Sequence, residues 1–229
     1  VVVLPFFNLS DSSNLDWIGE SISETVREAL SSQGLLVLDR ESRQEAFRRL
    51  SMRPGARLTH ASVIKLGQTL DAALVVYGSF ERTPPPADSN SRGSLRITAR
   101  IIDLKRIRQG PEFAEVGALE DLASLEHRLA WRTLQFLAPS TAPSEDEFRK
   151  THPPVRVDAI ESYIRGLVVP SPEQKHKLFT QAARLDPSFS QPRFQLGRMY
   201  ADKEDWGVAL SWLEGVKPGD SHYLEARFL

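Results

Sequence analysis

The 229-residue chain contains no cysteine. Disulfides, zinc–thiolate sites and thiol nucleophiles are therefore excluded, but nothing follows about compartment, because such a chain suits oxidising and reducing surroundings alike. An excess of one charge is missing too. Lys and Arg number 29 and Asp and Glu 30, a formal net charge of −1. That balance removes the global electrostatic case for nucleic acid or an anionic membrane as partner. No apolar run approaches the roughly 20 residues that cross a bilayer, so no transmembrane segment is expected. His60, His127, His152, His176 and His222 are scattered without metal-ligand spacing, and each is expected at the surface. There is no glycine-rich phosphate loop and no nucleophile elbow. No catalytic residue, cofactor or metal is expected.

What is present begins with Val1 to Ser10, VVVLPFFNLS. Val1 to Leu4 is a short apolar run without alternation, which suits a strand buried on both faces. Such a strand needs layers above and below it. Asp16 to Ser32 supplies a helix, with Ile18, Ile22, Val26, Ala29 and Leu30 at helical spacing, Asn14 and Asp16 as candidate caps and Gly34 as the stop. Leu35 to Leu38 reads as a second strand. Asp39 caps a helix carrying Ala46, Phe47 and Leu50. Arg53-Pro54-Gly55 breaks the chain, and Thr59 caps a helix with Val63, Leu66 and Leu70. Ala73 to Phe80 is a third strand. This order is that of parallel strands joined by crossovers.

The pattern then changes. Arg82 to Gly93, with three prolines, reads as a mobile hairpin loop. Ser94 to Asp103 alternates and predicts a strand with one wet face. Gln109-Gly110-Pro111 reads as a turn, Glu112 to Val116 as a further strand, and Leu119 to Leu137 as a closing helix with Leu122, Leu125, Leu129 and Phe136 inward. Residues 1–138 thus predict an α+β domain, a mixed sheet of about five strands with packed helices. Residues 139–157, rich in Pro, Ser and charge, read as a linker. Residues 158–229 are wholly helical, with helices over Ala159 to Val168, Pro172 to Leu185, Pro192 to Ala201 and Asp205 to Glu214. His222 to Leu229 reads as the start of another helix. With no initiating Met and strand character at Val1, the chain is read as a fragment trimmed at both ends.

Two stretches carry family resemblances. In the helical part, Phe194, Leu196, Gly197 and Tyr200, then Ala209 and Leu213, match the two helices of a tetratricopeptide unit. Arg193 stands where that family most often has Trp. Tyr163 and Gly166, then Phe179, Ala182 and Pro187, fit a shorter preceding unit, with Ala182 to Pro187 (AARLDP) the most typical piece. The part thus resembles an all-α tetratricopeptide array of about two units, the third truncated. In the first part, Val3-Leu4-Pro5-Phe6, Asn8-Leu9-Ser10 and Leu15 to Glu20 resemble the amino-terminal domain of TolB and the related FlgO- and CsgG-like domains of bacterial envelope proteins. Val37 to Arg40, Ala73 to Gly78 and Ala99 to Asp103 support it. The resemblance implies a mixed-sheet domain without catalytic residues, often followed by tetratricopeptide repeats. The short polar loop Arg82 to Gly93 departs from the long membrane-inserting hairpins of the CsgG-like pore formers.

In tetratricopeptide arrays the first helix of each unit lines a groove for peptides. Carried across, Gln191, Phe194, Arg198 and Asp202, with Tyr163, are the candidate partner-binding residues. The alternative is that these side chains pack on neighbouring repeats. Trp206 and Trp212 are expected in the core. The acidic pairs Asp11/Asp16 and Glu145 to Glu147 are read as caps and solvated linker rather than as a cation site. Arg40, Arg43, Arg48, Arg49, Arg53 and Arg57 form either a solvated helix face or a patch for an anionic partner, and Arg96, Arg100, Lys105, Arg106 and Arg108 form a second basic cluster. The expected function is a non-enzymatic interaction or scaffolding module of a bacterial assembly. It would be periplasmic or envelope-associated, bind a protein or peptide partner, and leave self-association open. The alternative is the regulatory tail of a larger cytoplasmic signalling protein, a kinase, a cyclase or a transcription factor.

Overall fold

The opening apolar run forms strand as expected, but in two pieces. In the computed structural model, which describes residues 1–10, 12–53, 55–87 and 91–229, β1 (Val2–Val3) and β2 (Phe7–Asn8) both lie parallel to β3 (Leu74–Thr83). The register steps from Val3↔Val76 to Phe7↔Ser79, so four residues oppose three. Pro5 occupies this bulge, where a missing N–H leaves no ladder bond unmade. Leu4 N–H still reaches Val76 O at 2.8 Å, whereas Phe6 N–H donates to Gly19 O at 3.0 Å. Gly19 belongs to α1 (Trp17–Ser32). A Cβ at Gly19 would lie 2.0 Å from Phe6 O, so only glycine allows the helix this close to the strand. Asp11, Pro54 and 88–90 lie outside the described residues. So do one member of the Asp11/Asp16 pair, the centre of the 53–55 break and the tip of the 82–93 loop.

Two compact units are present, Val1–His152 and Pro153–Leu229. In the first, β3 pairs antiparallel with β4 (Ser94–Asp103), and β4 with β5 (Arg108–Ala118). The sheet has five strands in the order β1-β3-β4-β5, with β2 also on β3. Alternation along β3 sends Val75 to one face and Val76 to the other. On the first face α2 (Arg40–Arg49) and α3 (His60–Thr69) bury Val2, Leu4, Phe47, Val63, Leu66, Val75 and Ile102 in one cluster. On the opposite face lie α1 and α4 (Leu122–Leu137). Phe6 fills the space over Gly78, and Leu125 of α4 the space over Gly117. The caps of α2 and α3 are those expected: Asp39 accepts from Ser42 N–H at 2.7 Å and Thr59 from Ser62 N–H at 3.2 Å.

Several expectations need correction. The count of five strands holds, but Phe7–Asn8 replaces Leu35 to Leu38. The latter bonds to Val1, whose amino group donates to Leu36 O at 2.8 Å and whose carbonyl accepts from Leu38 N–H at 2.9 Å, and Leu38 packs on the core cluster. Leu36 is 86% exposed. Gly110-Pro111 is no turn but part of β5. The chain reverses earlier, over 104–107, with Ile107 at φ 49°. Pro111 is tolerated because β5 is an edge strand. Asp16 makes no capping bond; its carboxylate accepts from Asn8 Nδ2 at 2.8 Å. Phe136 is 46% exposed and meets Phe113 edge-on instead of entering the core.

The stretch read as linker holds α5 (Glu145–Thr151), closed by a capping box between Ser144 and Glu147. Phe148 is buried, and Trp131 of α4 donates its indole N–H to Pro143 O at 3.0 Å. The second unit contains α6 (Val157–Val168), α7 (Pro172–Leu185), α8 (Ser190–Ala201), α9 (Trp206–Leu213) and α10 (Tyr223–Phe228). Helices α6 and α7 pack as a pair, as do α8 and α9, and α7 also packs on α8.

Candidate partner-binding site

The two helix pairs are built on one device. Gly166 of α6 faces Phe179 of α7, where a Cβ would come within 2.6 Å of the ring. Gly197 of α8 faces Leu213 of α9, where a Cβ would come within 2.5 Å. In each pair a missing side chain on the first helix receives a large one from the second, so the axes draw together. The turn between pairs is tied by Asp186, which accepts from Arg156 N–H at 3.1 Å, Ser188 N–H at 3.0 Å and Ser188 Oγ at 2.6 Å. Burial alone would raise the Asp186 pKa. These hydrogen bonds and the nearby Arg156 charge outweigh burial and hold the carboxyl below its usual range.

The five candidate residues divide into two groups. Tyr163 is 4% exposed and packs against Phe179 and Phe189, with ring centroids at 5.8 and 5.1 Å. Phe194 is 1% exposed and stacks on His222 at 4.3 Å with an interplanar angle of 1°. Both are packing residues, and neither offers a surface to a ligand. Arg198 and Asp202 are exposed and Gln191 is half-buried. Their spacing of seven and four residues puts these three on one side of α8. Beside them His176 Nε2 meets the Tyr200 hydroxyl at 2.9 Å.

Trp206 departs from its expected core position and is 59% exposed, while Trp212 is half-buried. Trp206 and Leu210, with Tyr223 and Arg227, border a groove of about 480 Å³ between α9 and α10. Its floor is apolar, and Glu214 and Arg227 bring one charge of each sign to it.

In the first unit the arginine cluster resolves into two populations. Arg43 is 3% exposed. It donates from Nη1 to Val3 O at 2.9 Å and to Ser23 Oγ, and from Nη2 to Glu20. Arg40 meets the same Glu20 carboxylate at 2.7 Å. These two arginines clasp β1, α1 and α2 together and are not available to an anionic partner. Arg48 and Arg49 pair with Glu45, Arg100 with Glu112 and Arg106 with Asp103. Arg53, Arg57, Arg96, Lys105 and Arg108 are exposed.

Buried titratable groups lie on α1 and α4. Glu126 is 1% exposed, accepts from Thr25 Oγ1 at 3.1 Å, and is pushed up to about 8 by burial, against the opposing pull of the Ser21 and Thr25 hydroxyls. Burial likewise raises Glu24, despite Arg27 and Arg43 nearby. Sequence reasoning missed both, because a glutamate inside an amphipathic helix reads as solvent-facing. Among the described residues no group of three or more His, Cys, Asp or Glu side chains could hold a metal ion, and no helix is long and apolar enough to cross a membrane.

The chain matches no family model and no curated protein. Solved structures similar to it include the LpoB C-terminal domain from Salmonella enterica, at 16% identity, covering 51% of this chain and 79% of that one with a TM-score of 0.37. The lipoprotein GNA1162 from Neisseria meningitidis is similar at 19% identity, 61% and 96% coverage and a TM-score of 0.42. The PelC dodecamer from Paraburkholderia phytofirmans is similar at 13% identity, 58% and 83% coverage and a TM-score of 0.35. At these identities and scores no residue role or activity passes from them to this chain.

Proposed function

We propose that the chain is a non-enzymatic protein-interaction module of a bacterial envelope assembly, with the second unit acting as tetratricopeptide-type helix pairs that hold a peptide or protein partner. The observation that carries the reading is the repeated glycine-to-knob contact, Gly166 with Phe179 and Gly197 with Leu213. It is the packing device that the motif match calls for, and it recurs in consecutive pairs joined by the Asp186 turn. The first helix of the second pair then turns Arg198 and Asp202 outward together, with the half-buried Gln191 on the same side. An acid and a base one turn apart suit a polar, charge-bearing peptide better than an apolar one. The domain boundaries of this reading are 1–138 and 158–229, and the envelope or periplasmic location is supported by the first-part motifs. Two of those motifs have a structural reason here, since Phe6 and Gly19 meet where strand and helix touch.

Peptides selected from a random display library on the full chain provide the test. Their affinities would be read by fluorescence polarisation against the unaltered chain, Arg198→Glu and Asp202→Lys, with thermal melts as the folding control. The expected outcome is a loss of roughly tenfold or more, about 1.4 kcal/mol, in each variant at an unchanged melting temperature. Selected peptides that bind all three proteins equally would overturn the assignment of this surface.

A further inference from the structure

Helix α5 is fastened to α4 by a stack of three rings, two of them imidazoles. Phe148 of α5 is buried. The His152 ring lies flat on it at 4.0 Å with an interplanar angle of 13°. His127 of α4 stands edge-on to both, 5.4 Å from His152 and 6.4 Å from Phe148. His152 Nδ1 lies 2.8 Å from Phe148 O. A carbonyl only accepts, so Nδ1 carries the hydrogen and Nε2 is the nitrogen left to take a proton. At the other end of the segment the Trp131 indole holds Pro143 O.

We propose that residues 143–152 form a strap that docks on α4 while His127 is neutral and is released when His127 takes up a proton. A proton on His127 sets a cation beside the His152 imidazole and beneath the cover that α5 provides. Undocking returns both rings to water. The facing charges do not cancel this effect. From α1, Glu28 is the carboxylate that favours a charged His127, and Arg27 engages it at 3.6 Å. On α5, Asp146 is paired with Arg149 at 2.7 Å, and Glu147 is held in the capping box.

Burial first, then the neighbouring His152, push His127 down to about 4, against the opposing Glu28. A released ring returns towards its ordinary value near 6.5. The released form therefore binds the extra proton between these values. Docking is fully favoured above pH 6.5 and is lost progressively as pH falls towards 4. His127 alone then raises the released fraction ~30-fold at pH 5.0 over pH 7.5. With the strap docked, the connection from the first unit to α6 is 153–156. Released, it begins at the end of α4 and spans 138–156. Acidification would thus lengthen the tether of the helical unit without unfolding either part.

Amide hydrogen exchange on the full chain at pH 7.5 and 5.0, corrected for intrinsic rates, tests this. Residues 145–152 should lose ~30-fold of their protection at pH 5.0, while the middle of α1 and of α4 keeps its own. His127→Phe, which keeps a ring and removes that titration, should hold the strap at both pH values, whereas His152→Phe leaves His127 in place and should keep most of the loss. Should His127→Phe melt early, His127→Gln, which is smaller and does not titrate, carries the test. Equal protection at the two pH values would overturn the proposal. A pH-dependent loss that persists in the His127 variants, or one shared by the whole of α4, would do so as well.

Discussion

Removing the Arg43 guanidinium is the sharpest probe of the first unit. The residue is 3% exposed and serves three acceptors on two other elements: Val3 O of β1, and Ser23 Oγ and Glu20 of α1. Arg43→Met keeps most of the stem's packing and deletes the donors. Stranding one partner of a buried ion pair costs roughly 3–5 kcal/mol. Glu20 would retain Arg40 at 2.7 Å and Val3 O would retain the Ser23 hydroxyl at 3.3 Å, both of which lower that figure. The expected cost is about 2–4 kcal/mol, and for a unit of this size the melting temperature falls by roughly 4–16 °C. The control is Arg48→Met on the same helix, whose side chain is 76% exposed and paired with Glu45. It should stay within about 0.5 kcal/mol of the original. Urea unfolding followed through Trp17 and Trp131, with Trp206 and Trp212 replaced by Phe, reads this unit alone. A Glu20→Gln/Arg43→Met cycle should return a coupling of at least about 1 kcal/mol. If Arg43→Met costs no more than Arg48→Met, the clasp contributes nothing and the reasoning fails.

Two further outcomes follow from the same packing. Gly19→Ala should destabilise the first unit by about 3 kcal/mol or more, because the new methyl meets the Phe6 carbonyl at 2.0 Å and backbone has to move. Gly207→Ala in α9 meets nothing within 4 Å and should be neutral or stabilising by up to about 1 kcal/mol; denaturant midpoints compare the two. Glu126 contributes a pH dependence of known sign. Its folded value near 8 lies above the unfolded one, so its share of stability is complete below about pH 4.5 and is lost as pH rises through 8. Glu126→Gln should therefore flatten the stability profile between pH 5 and 9 and be the more stable protein at pH 9. A profile as steep as that of the original chain would show that another group carries the effect.

Much of this architecture is legible in the residues. The buried opening strand, the wet-faced alternation of β4, the caps at Asp39 and Thr59 and the Gly34 stop are local signals, and each acts within a few residues of where it is read. The misreadings are cases where a distant partner decides. Arg43 looks solvated because its helix mixes charges, and Glu20 lies 23 positions away in the chain. Leu35 to Leu38 has strand composition but bonds to Val1 and Leu30 instead of to a strand of the sheet. His127 and His152 look isolated until α5 folds back on α4. That helix did leave a sign, since Ser144 and Glu147 have the spacing of a capping box. The Pro and Ser content around it reads as linker and masks the sign. Among the candidate binding residues, a periodic pattern cannot separate an aromatic that lines a groove from one that fills the gap between helices. Tyr163 and Phe194 proved to be the second kind.

The bulge at Pro5 also bears on how this chain avoids its own copies. A sheet with open sides offers unpaired backbone groups to any passing strand. Here one side ends in two pieces of two residues each, split by a proline, flanked by 35–38 and tied down by Phe6 to α1. The other side, β5, is eleven residues long, and it is interrupted by Pro111 while Arg132 occupies the Ala114 carbonyl at 3.1 Å. Both margins are thus spoiled as templates by different means. Replacing Pro111 with a β-branched residue would restore a continuous margin on the longer side, the change by which this fold would become prone to fibrous self-assembly.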